Sequence, residues 1–132
     1  AGMIAADVGG AVPKCIHLIC HRDGASLRGL TLVDRDKRLH RSVAWELSMA
    51  DAEQIVGGWV YFHPAKAKLS EFGGVVVSVE PTTELSGPDK PEIAIILEFR
   101  PESREQKWRG AEHGMAWCSG LVSPSFEHEL GS

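Results

Sequence analysis

The chain has 132 residues, a length that fits one domain, and we expect that domain to run from residue 3 to residue 130. Hydrophobic residues make up 43% and charged residues 24%, close to globular averages, so disorder is not expected. The net charge of −4 argues against a strong nucleic-acid binder, and no apolar run is long enough to predict a membrane span. Residues 1–2 and 131–132 look like cloning residues. With no secretory signal and an odd number of cysteines, the expected compartment is the cytoplasm.

Three stretches in the first half alternate as β-strands do. In the first, residues 14–21, the side chains of Ile16, Leu18 and Cys20 share one face. The other face carries Cys15, His17, Ile19 and His21. The next two strands are residues 26–33 and 39–47, and the three together predict a meander.

One helix is predicted after these strands. Ser48 can accept a hydrogen bond from the backbone near Asp51, and Gly57 and Gly58 supply a stop. Further strands are predicted at residues 59–63, 75–80, 92–99 and 115–122. The order β-β-β-α-β-β-β-β predicts a mainly β (α+β) protein, either a small barrel or a strongly bent antiparallel sheet with one short helix.

The run from Ser48 to Glu80 reads helix, Gly-Gly, WVYFHP, connector and GGVVVSVE. It resembles PUA-like domains of the EVE and ASCH kind, in which a helix precedes a hydrophobic strand and then a glycine-led strand. Where that family usually has Gly-Asp before the hydrophobic strand, this chain has Gly57 and Gly58. The resemblance implies a small β-barrel whose pocket receives a base, a nucleotide or a modified base in nucleic acid. It also implies that His63 and the neighbouring loops form the rim of the pocket.

Aromatic and basic residues supply the candidate binding site. The aromatic set is Trp45, Trp59, Tyr61, Phe62, Trp108 and Trp117, which could line a pocket or simply form the core. A basic–aromatic segment contains Arg100, Arg104, Lys107, Trp108 and Arg109, which suits stacking on a base beside phosphate contacts. We predict a non-enzymatic binding domain without a cofactor, whose ligand is a small molecule or nucleotide, with nucleic acid less well supported. The predicted ligand-binding residues are Tyr61, His63, Trp108, Arg109 and Trp117.

An enzyme that uses a metal or a cysteine is one alternative. Cys15, His17 and His21 share a strand face next to Cys20, and His113 or Cys118 could complete a zinc site. The competing interpretation is a half-buried strand with exposed histidines. Cys118 could also be a nucleophile, if folding brings His113, His63 or His17 within reach as its base.

Two further alternatives rest on charge and on apolar strands. Asp89 followed by Glu98 and Arg100 is similar to a nuclease pattern, but arginine cannot act as a base there, and Glu80 and Glu98 also suit a solvated surface. Residues 75–77 and 93–97 are apolar on both strand faces. Such strands predict a homo-oligomeric interaction protein, most simply a homodimer, unless a barrel interior covers them.

Overall fold

The computed structural model describes residues 13–20, 22–23, 26–27, 29–65, 67–84, 87–89, 91–109 and 118–122. These ranges contain nine strands, one α-helix and one 3-10 helix at Pro101–Ser103. The strands are β1 (Cys15–Ile19), β2 (Arg22–Asp23), β3 (Ser26–Leu27), β4 (Leu30–Asp34), β5 (Leu39–Trp45), β6 (Trp59–His63), β7 (Phe72–Thr82), β8 (Glu92–Phe99) and β9 (Cys118–Val122). The helix, α1, spans Met49–Gln54 and lies between β5 and β6 in the chain.

Seven of the strands form one sheet in the order β9-β1-β6-β7-β8-β5-β4, and β2 pairs with β3 in a separate two-stranded ladder. The mainly β class with one short helix is confirmed. One detail of the prediction is wrong. The sheet is mixed rather than antiparallel, because β1 runs parallel to β6. Of the two predicted arrangements, the strand order is consistent with the bent sheet and not with a closed barrel, since β9 and β4 stand at opposite ends of the order formed by the described strands.

The predicted three-stranded meander is also wrong in part. The hairpin of β4 and β5 is present, but β1 lies at the other side of the sheet between β9 and β6. A physical reason lies in the burial of β1, whose residues 15–18 are all buried. A strand covered on both faces belongs inside a sheet, and parallel pairs are found in such buried positions.

The start of the helix follows the prediction. The Ser48 side chain accepts a hydrogen bond from the backbone N–H of Asp51 at 3.1 Å. After the helix, Gly57 takes a φ of 86°, a left-handed conformation that glycine adopts without strain. Ala52 and Ile55 are fully buried, so the short helix is held by its packing on the sheet. Within the described residues, no helix has the length and hydrophobicity needed to cross a bilayer.

The two faces of the sheet differ in chemistry. One face, called here the core face, carries the main hydrophobic core together with α1. Its buried side chains include Ile16, Leu18, Val60, Phe62, Val76, Ile95 and Leu97. The opposite face is called the histidine face, and on β1 and β6 it carries Cys15, His17, Trp59, Tyr61 and His63. All five of these side chains are buried as well. Successive side chains of β1 and β6 therefore alternate between two buried faces, and neither face is exposed to solvent there.

Candidate functional site

The parallel pairing of β1 and β6 brings two histidines together. His17 is opposite Tyr61 in the register, and His63 is opposite Ile19. The Nδ1 atom of His17 lies 2.7 Å from the Nε2 atom of His63. Both residues are 0% exposed. A hydrogen bond between two imidazoles is therefore built into the interior of the histidine face.

The backbone determines which ring nitrogens carry protons. Nδ1 of His63 lies 2.9 Å from the carbonyl oxygen of Lys68, and a carbonyl only accepts, so this nitrogen must donate. The Nε2 atom of a neutral His63 is then an acceptor, and Nδ1 of His17 donates to it. Burial lowers the pKa of His63 below its ordinary value, and the bond to Lys68 opposes this effect without reversing it.

Aromatic rings surround the histidine pair. The ring of Tyr61 stacks on His17 with centroids 4.6 Å apart and an interplanar angle of 22°. The ring of Trp108 lies 5.8 Å from His17 and 5.2 Å from His63. Trp108 is partly exposed, whereas the other three residues are buried. We call His17, Tyr61, His63 and Trp108 the histidine–aromatic cluster.

Trp108 is held in place by a segment that we call the strap, residues 100–109. Ser70 is the anchor of the strap: its backbone N–H donates to Gln106 at 2.9 Å, and its carbonyl accepts from Glu105 at 2.8 Å. The Ser70 hydroxyl also accepts from the Gln106 backbone N–H at 2.9 Å and donates to the Ser103 carbonyl. Ser70 follows Lys68 by two residues. The same short segment therefore sets the tautomer of His63 and fixes the strap that carries Trp108.

The cations of the strap have different environments. Arg100 donates to Glu98 at 2.9 Å, and the guanidinium of Arg104 lies 5.0 Å from the centre of the Phe99 ring. Lys107 is exposed and Arg109 is partly exposed, and they flank Trp108 in the chain. The basic–aromatic segment expected from the sequence thus divides into an end that packs on the sheet and an end beside Trp108.

The structure brings together some of the predicted ligand-binding residues. Tyr61, His63 and Trp108 belong to the histidine–aromatic cluster, and Arg109 follows Trp108 in the strap. Trp117 lies outside the described residues. Sequence reasoning did not include His17 in this site, because the parallel partner of β1 could not be read from the alternation pattern. The rest of the aromatic set divides between the two faces: Trp59 lies beside Tyr61, while Trp45 packs against Phe62 on the core face.

The described part of the chain offers little support for a metal site or a catalytic cysteine. There, no group of three or more His, Cys, Asp or Glu residues is arranged to hold a metal ion. The expectation of exposed histidines on β1 is wrong for His17, because the parallel neighbour β6 and the strap cover it. His21, His113 and the side chain of Cys118 lie outside the described part. The backbone of Cys118 pairs with Leu18, one residue beyond His17.

The carboxylates of the nuclease hypothesis are bound to arginines. Glu98 accepts from Arg100, and Glu80 accepts from Arg41 at 3.0 Å. Asp89 is exposed in the connection between β7 and β8. A hard cation needs several converging carboxylate oxygens, and these two ion pairs instead neutralise the carboxylates separately.

Comparison of the chain with known proteins gives no match. No protein-family model, no curated protein and no solved structure matches it. The histidine–aromatic cluster and its strap are therefore the basis for a functional proposal.

Proposed function

We propose that this chain is a recognition domain that binds a planar ring carrying a phosphate, such as a nucleotide or a base in single-stranded nucleic acid, on the partly exposed ring of Trp108. One observation carries the proposal. Trp108 packs on two buried, hydrogen-bonded histidines, has a cationic residue on each side of it in the sequence, and exposes part of its surface to solvent. An aromatic ring held rigidly from below is a preorganised platform for stacking.

The support beneath Trp108 favours stacking over hydrophobic packing alone. Its ring is tilted by 54° to His17 and by 73° to His63, so the histidines contact it at an angle. The strap that carries it is fixed by hydrogen bonds to Ser70 on a neighbouring segment. Because the platform is ordered before a ligand arrives, binding a base costs little further conformational entropy.

The two cations beside Trp108 suit a phosphate. Lys107 and Arg109 come immediately before and after the platform residue, and arginine matches a phosphate through paired N–H groups. Arg100 and Arg104 lie against Glu98 and Phe99 and are assigned a structural role. The strap therefore offers both a ring surface and local positive charge in a chain whose total charge is −4.

The resemblance to PUA-like domains supports the same class of ligand. Helix α1, the hydrophobic strand β6 and strand β7, which begins at Phe72 just before Gly73 and Gly74, follow one another in the part of the chain on which that resemblance rests. Gly73 and Gly74 lie where a Cβ atom would collide with the carbonyls of Val60 and Glu98, so these glycines allow β7 to pack closely on both neighbours. His63 ends β6 and faces the strap. In this proposal its role is to support Trp108 rather than to form an open rim.

The test is equilibrium binding of nucleoside monophosphates and short single-stranded oligonucleotides, measured by titration calorimetry. We expect Trp108→Leu to weaken binding by about tenfold or more, as the loss of base stacking would. Arg109→Ala and Lys107→Ala should weaken binding of the phosphorylated ligands. Arg104→Ala is the matched control from the same strap and should bind as the wild type does. Wild-type protein that binds none of these ligands, or Trp108→Leu that binds them equally well, overturns the proposal.

Self-association is a second candidate, favoured by the edge strand β4. Among the described strands it stands at one end of the sheet order, and its Leu32 and Val33 side chains are 43% and 56% exposed. Exposed apolar residues on a sheet edge can pair with the same edge of a second chain. The histidine–aromatic cluster lies toward the other end of the strand order, so a homodimer through β4 would leave it uncovered. Self-association and ligand binding at Trp108 are therefore compatible.

A further inference from the structure

A single proton must lie between the two histidine rings. The nitrogens are 2.7 Å apart, a distance at which two facing lone pairs or two facing N–H groups would repel each other. Nδ1 of His63 already donates to the Lys68 carbonyl. In the neutral pair the shared proton therefore belongs to Nδ1 of His17, and the lone pair of His17 is on its Nε2 atom.

One additional proton can be added without breaking either hydrogen bond. On Nε2 of His17 it leaves the N–H···N bond and the bond to Lys68 in place, and it turns the N–H···N bond into a charge-assisted one. A second proton would have to go to Nε2 of His63, where it would face the N–H of His17. The lowered pKa of buried His63 agrees with this limit. The two rings thus titrate as one unit with room for one proton.

Burial opposes a charge on His17, and neighbouring aromatic rings offset part of that cost. The ring of Tyr61 stacks on its face, and Trp108 lies 5.8 Å away, so two aromatic rings offer cation–π stabilisation to an imidazolium. On β9, the Ser119 hydroxyl accepts from the backbone N–H of His17 at 2.9 Å and holds this part of the strand.

Several titratable or charged groups belong to the elements packed against the pair. They are Cys15 on β1, Tyr61 on β6, Cys118 on β9, Lys68 and Glu71 in the segment before β7, and Lys107 and Arg109 on the strap. The strap cations are repelled by a charged pair, and a phosphate beside them would relieve that repulsion.

We propose that the His17–His63 pair takes up one proton in the folded protein, on Nε2 of His17, and that this charge beneath Trp108 selects anionic ring ligands over uncharged ones. The proton site stands on the hydrogen-bond geometry alone. The selectivity rests on the proposed function, since it concerns a ligand stacked on Trp108. The site then binds a phosphorylated ligand more tightly as the pH falls, whereas an uncharged nucleoside shows no such gain.

The proton site is tested by NMR of the ring nitrogens in protein labelled with ¹⁵N-histidine, between about pH 5 and pH 8, where histidine titrates. We expect His17 to change in one step from its Nδ1–H tautomer to the imidazolium, while His63 keeps a pyridine-like Nε2. His17→Asn, which retains a donor toward His63 but cannot take the proton, identifies the signals. The matched control is His40→Asn, since His40 lies on the core face. An imidazolium at His63, an Nε2–H tautomer of neutral His17, or no titration of either ring overturns the proposal.

The selectivity is tested with two probes: a diadenosine dinucleotide, whose single phosphodiester keeps a constant charge over this range, and adenosine, which is uncharged. From about pH 8 to pH 6, affinity for the dinucleotide should rise about two- to fivefold, adenosine should not follow, and His17→Asn should abolish the rise. Equal pH dependence for both probes overturns the selectivity. If neither probe binds at any pH, the proposed function and the selectivity both fail. The NMR titration tests the proton site independently of ligand binding.

Discussion

His17 and His63 are 46 residues apart in the chain, yet Nδ1 of one lies 2.7 Å from Nε2 of the other. The contact exists because β1 and β6 are parallel neighbours, which places both side chains on the histidine face. Two further contacts hold the pair in place. The Lys68 carbonyl accepts a hydrogen bond from His63, and the Trp108 ring packs on both histidine rings. The proposals of ligand binding at Trp108 and of a proton site at His17 both depend on this relationship.

Acid should destabilise the fold through His63. Its pKa is lowered by burial, so the folded state resists a proton that the unfolded state accepts. The stability due to neutral His63 is fully present above the unfolded pKa of about 6.5 and is lost as the pH falls toward the lower folded pKa, by up to about 1.4 kcal/mol per pH unit. Urea unfolding at several pH values measures this loss in the wild type and in His63→Gln, which keeps an acceptor for His17.

The His63→Gln variant should show a shallower decline in unfolding free energy below about pH 6.5 than the wild type. If the His63→Gln slope equals the wild-type slope, burial of neutral His63 is not the source of acid sensitivity.

Removing the Ser70 hydroxyl should loosen the strap. Ser70 is 3% exposed, and its hydroxyl serves both the partly buried Gln106 N–H and the buried Ser103 carbonyl, so Ser70→Ala leaves both groups without this partner. We expect a loss of about 1–3 kcal/mol in unfolding free energy and faster hydrogen exchange at the Gln106 amide.

Ser48→Ala is the matched serine control for the strap. It removes the helix cap of α1, which should cost about 1 kcal/mol. It should leave exchange at Gln106 unchanged, because α1 and the strap are separate elements. Equal acceleration of Gln106 exchange in both variants would mean that it reports global stability and not the Ser70 anchor.

The close approach of β7 and β8 at Gly74 should make that position intolerant of a side chain. A Cβ atom there would collide with the Glu98 carbonyl oxygen and lie 2.8 Å from its carbonyl carbon. Gly74→Ala should therefore cost at least about 3 kcal/mol, because backbone on both strands must shift. Gly87→Ala, where φ is 85° but no atom lies within 4 Å, should cost only about 1–2 kcal/mol from backbone strain. Chemical unfolding of both variants measures the difference, and equal costs would contradict the steric argument.

The edge strand β4 gives a prediction about oligomeric state. If Leu32 and Val33 pair the edges of two chains, native mass spectrometry should show dimers, and Leu32→Lys should shift the population to monomer. Val77→Lys is a control of the same kind on β7, since Val77 is 45% exposed but lies on an interior strand. Dimers that persist in Leu32→Lys, or dissociate equally in Val77→Lys, would exclude β4 as the interface.

The sequence predicts local structure well in this protein. Alternation identifies the two faces of β1, and Ser48 marks the helix start, because both signals depend on residues close together in the chain. It does not predict that β1 lies beside β6. Strand partners are chosen by long-range packing, and a pattern of period two is compatible with a parallel or an antiparallel neighbour. His17 therefore entered the sequence analysis as a candidate metal ligand, and its contacts with Tyr61 and His63 appear only in the fold.

The most direct test of the central claim, ligand binding at Trp108, uses the indole N–H signals of ¹⁵N-labelled protein during titration with nucleoside monophosphates and a short single-stranded oligonucleotide. We expect the Trp108 signal, identified by its loss in Trp108→Leu, to shift progressively to saturation. The signal of Trp45, whose indole donates to Ser42 on the core face, should not move. No shift at Trp108 with any of these ligands, or shifts confined to other indoles, would contradict ligand binding at Trp108.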